Sequence, residues 1–234
     1  MNAPLRRVGV VVLVLFALLF VNLNWVQGYK ANDYRTSRYN GRVQLTDYER
    51  QRGTIYDANG AALAASVATS DQLKYLRTYP GGPAFEPILG YKPVNLGSTG
   101  IEDAMDVYLA GNASSDERIS DLFSDRRNPG DNVFLTLDKK VQTTAYDALR
   151  NNGSQGDVGA VVAMDPNTGK ILAMASSPSF TATNLASHKT STAAATYKRL
   201  NTDPDQPLLN RAMSTTAPPG STFKVVVSAA ALAS

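Results

Sequence analysis

Ser221 and Lys224 are the two residues whose types and spacing could do covalent chemistry in this chain. They stand in Pro218-Pro219-Gly220-Ser221-Thr222-Phe223-Lys224, ahead of the apolar run Val225-Val226-Val227-Ser228-Ala229-Ala230-Ala231-Leu232-Ala233. Two prolines and a glycine stiffen the approach and then let the backbone turn. The Ala/Val run reads as a buried helix. That places Ser221 at the first turn, where unpaired backbone N–H groups and the helix dipole favour negative charge. Three residues on, Lys224 shares a helix face with the serine. An ammonium pressed against an apolar wall loses solvation and gives up its proton more readily, as a general base must. Hydroxyl, base and anion-tolerant helix end together make an activated nucleophile for acyl transfer. The bare spacing is common, and its plain reading is an N-capping serine beside a solvated lysine.

Composition narrows the alternatives. A chain of 234 residues, 43% hydrophobic and 18% charged, has the make-up of a folded protein with one large or two small domains. Its net charge of +3, with no basic cluster interleaved with aromatics, gives no reason to expect nucleic acid as a partner. Cysteine is absent, which excludes disulfides and thiolate metal sites. Histidine occurs once, at His188, so a His-rich metal site is impossible and any Ser-His-Asp triad would have to use that residue. His188 lies in a Ser/Thr/Ala/Asn-rich stretch and reads as an exposed loop residue. A lysine is therefore the better base for a serine nucleophile, and no metal or cofactor is expected.

The elements that must position this pair start with an apolar segment. Arg6 and Arg7 precede a run from Val8 to Val21, and Asn22 to Val26 continues it in an interfacial style. A helix from Val8 to Val26 spans about 28 Å, close to the hydrocarbon thickness of a bilayer. The arginines place the amino terminus in the cytoplasm, and Trp25 suits the far headgroup level. The uninterrupted apolar part is also short enough for a secretory segment cleaved near Val26-Gln27-Gly28, but an uncleaved anchor is the reading adopted. Either way, the bulk of the chain is expected outside the cytoplasm.

After the anchor, Lys30, Arg35, Arg38, Arg42, Arg50 and Arg52 read as a solvated basic stem. Thr54-Ile55-Tyr56 is β-prone, and Asp57 to Gly60 carries hairpin turn chemistry, with Gly60 free to take positive φ. A short amphipathic helix is expected from Glu102 to Leu109, with Met105, Tyr108 and Leu109 on one face and Gly111-Asn112 ending it. Glu102, Asp103 and Asp106 read as a solvated helix start. Val133 to Leu137 is strand-like. Asp138 then caps a helix through Leu149 whose apolar face is Val141, Ala145, Ala148 and Leu149. Two apolar strands, 159–164 and 170–175, are joined by the turn Asp165-Pro166-Asn167-Thr168-Gly169. Thr168-Gly169-Lys170 is not a phosphate loop, because Met164 stands where that motif needs glycine.

Several of these stretches resemble one family. Pro219-Gly220-Ser221-Thr222-Phe223-Lys224 looks like the active-site motif of penicillin-binding proteins, the serine transpeptidases of peptidoglycan synthesis. Arg52-Gly53-Thr54-Ile55-Tyr56-Asp57-Ala58-Asn59-Gly60-Ala61-Ala62-Leu63-Ala64 and Gly97-Ser98-Thr99-Gly100-Ile101-Glu102 are similar to signatures of the amino-terminal module of the class B members. The 159–175 hairpin, the Leu135-Thr136-Leu137-Asp138 helix start and Asn210-Arg211-Ala212 resemble the opening of the transpeptidase domain.

The resemblance implies an α/β (α+β) fold in three parts. These are a tail and single transmembrane anchor over 1–26, a mainly β pedestal or dimerisation module over 27–132, and the opening of a transpeptidase domain over 133–234. It implies Ser221 as acyl nucleophile, with its backbone N–H in an oxyanion hole, and Lys224 as general base. It further implies peptidoglycan stem peptides and β-lactams as ligands. The membrane, a polytopic glycan polymerase and division or elongation proteins are the implied partners.

Two further family motifs are not found: no Ser-x-Asn occurs, and Lys189-Thr190-Ser191 is the nearest approach to Lys-Thr-Gly. The resemblance thus implies an amino-terminal portion, incomplete at its carboxyl end, that does not turn over by itself. Two other readings stand beside it: a membrane-tethered scaffold of the cell-wall machinery, and a serine β-lactamase or β-lactam sensor.

Overall fold

The computed structural model describes residues 3–30, 48, 50–95, 97–111, 129–151 and 158–233. The apolar amino-terminal run forms helix α1, Ala3–Asn24, and winds on through a wider turn over Trp25–Tyr29, where Lys30 N–H reaches back to Trp25 O at 2.9 Å. The stretch Arg6–Tyr29 contains an 18-residue window of mean hydropathy 2.4 and is long and apolar enough to cross a membrane. Trp25 stacks on Tyr29 at its far end, with ring centroids 4.5 Å apart.

Strands β1 (Ile55–Tyr56), β2 (Ala62–Ala68), β3 (Tyr75–Thr78) and β4 (Val133–Phe134) form one sheet in the order β3-β2-β1-β4. The expected hairpin is present: β1 runs antiparallel to β2 with Ile55 opposite Ala64, and Gly60 takes φ +83° in the turn. Asp57 is more than a turn residue. Its Oδ1 accepts the Asn59 and Ala61 amides at 2.9 and 2.6 Å, and Oδ2 accepts the Lys139 amide at 3.3 Å. One buried carboxylate thus ties the hairpin to a helix start some eighty residues on. β4 lies parallel to β1, and the Tyr56 and Phe134 rings stack at 5.0 Å.

Three short helices follow: α2 (Glu86–Leu89), α3 (Gly100–Ala104) and α4 (Asp106–Leu109). The single helix expected from Glu102 to Leu109 is in fact two, broken where Met105 leaves helical geometry at φ −106°, ψ 17°. Leu109 is buried and Met105 packs on the core, whereas Tyr108 is exposed. The expected stop at Gly111-Asn112 is half visible: Gly111 takes φ +68°, and Asn112 lies outside the described residues.

Helix α5 (Lys139–Asn151) starts as expected, with Asp138 Oδ1 accepting the Lys140 and Val141 amides at 2.8 and 3.0 Å. Its buried face differs by one position. Gln142, Ala145, Tyr146 and Leu149 turn inward, while Val141 and Ala148 face solvent. Gln142 is tolerated inside because every polar atom is paired. Nε2 donates to Ala84 O and Met174 O at 2.6 and 3.1 Å, and Oε1 accepts the Met174 amide at 2.7 Å.

Strands β5 (Gly159–Met164) and β6 (Ile171–Ser177) pair antiparallel as the expected hairpin, with Asp165 accepting from Asn167 and Thr168 inside the turn. Helices α6 (Thr190–Asn201), α7 (Arg211–Ser214) and α8 (Phe223–Ala233) complete the described chain. One apolar core joins both parts. Ile55, Leu63, Phe85 and Leu89 from the first share it with Tyr146, Phe180, Leu185 and Leu200 from the second.

Candidate active site

The local geometry at Ser221 follows from its neighbours. Gly220 takes φ +53°, which a β-carbon would resist, and Gly220–Thr222 form one tight turn before α8. Thr222 donates to Pro219 O from its amide at 3.1 Å and also from its hydroxyl. Ser221 therefore sits one turn ahead of an eleven-residue helix, with Lys224 as that helix's second residue. The pair lies where the sequence spacing puts it.

The wall expected around the pair is not there. Every described residue from Met213 to Ala233 is exposed, Lys224 included. Val225 stands 74% and Leu232 90% open to solvent. The expectation of a buried helix is thus corrected: the Ala/Val sequence forms the helix, but no layer of the described residues covers it. An all-round apolar helix is a burial element. The described residues before it do not supply its partner surface.

The polypeptide leading into the turn is held tightly. Arg211 N–H donates to Ser176 Oγ at 3.0 Å, and that hydroxyl donates to Leu209 O at 3.2 Å. The buried Arg211 guanidinium donates to Gln206 O at 3.1 Å and to Asp205 O. Asn210 Nδ2 donates to Pro87 O at 3.1 Å, on α2. Asn210 and Arg211 thereby fasten the chain, ten residues before the serine, to β6 and to the first part of the molecule. Sequence reading noted this triplet as a resemblance without seeing its clamp role; a polar pair just before a Pro-rich approach was the available signal.

Two other readings are corrected. His188 is not an exposed loop residue. Its ring is 13% exposed, with Nδ1 2.5 Å from Asp71 Oδ2 and Nε2 3.0 Å from Tyr75 O, and the Tyr48 ring meets it edge-on at 5.8 Å. It has no place beside Ser221.

Arg52 and Glu102 are not solvated either, while Asp103 and Asp106 are partly exposed. Glu102 is fully buried, with Oε2 2.7 Å from Arg52 Nε and Oε1 2.6 Å from Arg77 Nε. Asp106 pairs with Arg52 at 2.7 Å and with Lys92 at 3.4 Å. Burial pushes the Glu102 carboxyl up, but Arg77 and Arg52 outweigh it and hold the group below the usual carboxylate range. The rest of the expected basic stem, 31–47 and 49, lies outside the described residues. Among the described residues no group of three or more His, Asp or Glu could hold a metal ion.

Comparison with known proteins gives this arrangement a family. Residues 52–133 match the penicillin binding protein A dimerisation domain, and residues 159–234 match the penicillin binding protein transpeptidase domain. The chain is 45% identical over 237 residues to the peptidoglycan D,D-transpeptidase PbpA of Mycolicibacterium smegmatis, covering 99% of this chain and 48% of that protein. It is 43% identical to the protein of the same name from Mycobacterium tuberculosis, covering 100% and 48%. In structure it is similar to the imipenem acyl-enzyme complex of M. tuberculosis penicillin-binding protein A, with TM-score 0.74 and 43% identity, over 80% of this chain and 43% of that one. Pseudomonas aeruginosa PBP2 is a more distant likeness, with TM-score 0.58 and 32% identity over 78% and 39%. The chain spans about half the length of the curated relatives it matches. Dimerisation and transpeptidase domains in that order, on a fold shared with these proteins, mark the chain as a member of the class B penicillin-binding proteins.

Proposed function

We propose that this chain carries the acylating serine of a peptidoglycan D,D-transpeptidase. The observation that carries the reading is the Ser221/Lys224 pair at the start of a helix, inside the stretch matching the transpeptidase domain. Ser221 Oγ passes its proton to Lys224 Nζ and attacks the penultimate D-Ala carbonyl of a stem peptide. The Ser221 backbone N–H, unpaired as helix-start amides are, faces the developing oxyanion. Collapse of the tetrahedral intermediate expels the terminal D-Ala, which takes the proton back, and leaves an ester on Ser221. An acceptor amine then attacks that ester, forming the cross-link and freeing the serine. A β-lactam enters at the first step, where ring opening keeps the leaving nitrogen attached and the acyl-enzyme persists.

The helix at Arg6–Tyr29 supports a membrane-tethered placement. Arg6 and Arg7 on its short side favour a cytoplasmic amino terminus, with the bulk of the chain outside. The reading carries stem peptides and β-lactams as ligands. A polytopic glycan polymerase, reached through the anchor and stem, is its expected partner in division or elongation.

The test is covalent labelling of the full-length protein with fluorescent penicillin, followed by peptide mapping. Label is expected on the Ser221 peptide and absent from Ser221→Ala, with acylation of Lys224→Ala slowed by roughly 100-fold or more. Label on a different residue, or undiminished reaction of Lys224→Ala, overturns the proposal.

A further inference from the structure

A line of hydrogen bonds runs along residues 83–87, inside the stretch matching the dimerisation domain. Ser179 Oγ donates to Pro83 O at 2.6 Å, and Gln142 Nε2 donates to Ala84 O at 2.6 Å. The Ala182 amide donates to the Glu86 carboxyl, and Asn210 Nδ2 donates to Pro87 O at 3.1 Å. These donors come from α5, the exit of β6, the turn at Ala182 and the start of α7. Asn210 is the one nearest Ser221 along the chain, at the head of the run that ends in the nucleophile.

Asn210 is fixed at both ends. Its backbone carbonyl accepts the Met213 and Ser214 amides at 3.1 and 3.0 Å and so opens α7. Past that turn, Pro218 and Pro219 hold φ near one value, so a displacement at Asn210 is carried toward Ser221. The side chain itself is a poor choice for stability alone. Asn210 Oδ1 is buried without a hydrogen-bond partner among the described residues, and an unpaired buried acceptor costs free energy. What the amide secures is its bond to Pro87 O, a carbonyl that can only accept.

We propose that Asn210 is a positioning residue for acylation: its grip on Pro87 ties the placing of Ser221 to the 83–87 segment, and so to the stretch matching the dimerisation domain. This role rests on the transpeptidase reading. A group that works by position acts on the rate of the covalent step, where a misplacement of about 1 Å costs on the order of 100-fold.

The test is single-turnover labelling of the full-length protein by fluorescent penicillin, resolved into non-covalent dissociation constant, acylation rate and final extent. Asn210→Asp keeps the shape but sets an acceptor against the Pro87 carbonyl. Acylation is expected to slow by roughly 10-fold or more, with the dissociation constant unchanged and the same final extent as wild type. A protein that is merely part unfolded labels to a lower extent at the normal rate. Should Asn210→Asp not fold, Asn210→Ala removes the donor without adding charge and is read in the same way. Ser179→Ala loses the Pro83 bond instead and should acylate at the wild-type rate. Wild-type acylation in the folded Asn210 variant overturns this inference alone, as does equal slowing in Ser179→Ala. No label on wild-type Ser221 removes the transpeptidase reading and this inference with it.

Discussion

His188 and Asp71, 117 residues apart in sequence, meet at 2.5 Å between Nδ1 and Oδ2, and the other ring nitrogen faces the Tyr75 carbonyl at 3.0 Å. The chain's one histidine therefore fastens the segment before α6 to the β2–β3 connection. A carbonyl can only accept, so Nε2 donates to it. His188→Ala should loosen that connection, raising hydrogen-exchange rates at Leu73 and Tyr75 about tenfold while leaving α5 unchanged. Hydrogen bonds from His188 first, and then Thr69, hold the Asp71 carboxyl below its ordinary range. The carboxylate's side of the grip should therefore outlast mild acidification and fade as pH falls through that lowered value. Unchanged exchange in the variant counts against the latch.

Glu102 balances two buried guanidiniums, so Glu102→Gln takes the carboxylate from Arg77 and leaves Arg52 with Asp106. Breaking such a pair costs about 3–5 kcal/mol. The variant should show a lower urea midpoint by far-UV circular dichroism, and a loss below about 1 kcal/mol would contradict the geometry.

Glu86 is 1% exposed, and its Oε2 has no partner. Burial pushes its carboxyl up to about 7, and a hydrogen bond from the Ala182 amide offsets this only in part. Because the folded value lies above the unfolded one, the unfolded state releases its proton first as pH rises. Stability should fall between about pH 4.5 and 7, by up to roughly 3 kcal/mol. Glu86→Gln should flatten that slope and gain stability at pH 8; denaturant titrations at pH 5 and 8 read both.

Gly53 lies where two backbones cross. Its amide donates to Leu109 O at 2.9 Å, and a β-carbon there would stand 1.8 Å from Asp131 O. Gly53→Ala must push the main chains apart, and a loss of about 3 kcal/mol or outright misfolding is expected. Thermal melts should show it, whereas Gly60→Asn, in an open turn, should cost far less.

The reach of sequence reasoning differs sharply between these residues. The turn and helix that place Ser221 and Lys224, the hairpins around Gly60 and Asp165, and the Asp138 cap all follow from contacts within a few positions. Local chemistry decides such features, and they were legible. The inward face of α5 was misplaced because Gln142 looks polar in isolation. Only the carbonyls of Ala84 and Met174, at 2.6 and 3.1 Å, make it a core residue.

By itself the sequence determined the Ser-x-x-Lys motif, the order of the elements and the apolar amino-terminal helix, since propensity, capping and spacing act along the chain. Tertiary structure alone decided which charges are buried and what covers each surface. Arg52 and Glu102 are 50 residues apart, and the cost of burying either depends on the other being there. The same holds for α8. Its composition made it a helix, but burial is a property of a neighbouring layer, and no reading of the eleven residues can supply one.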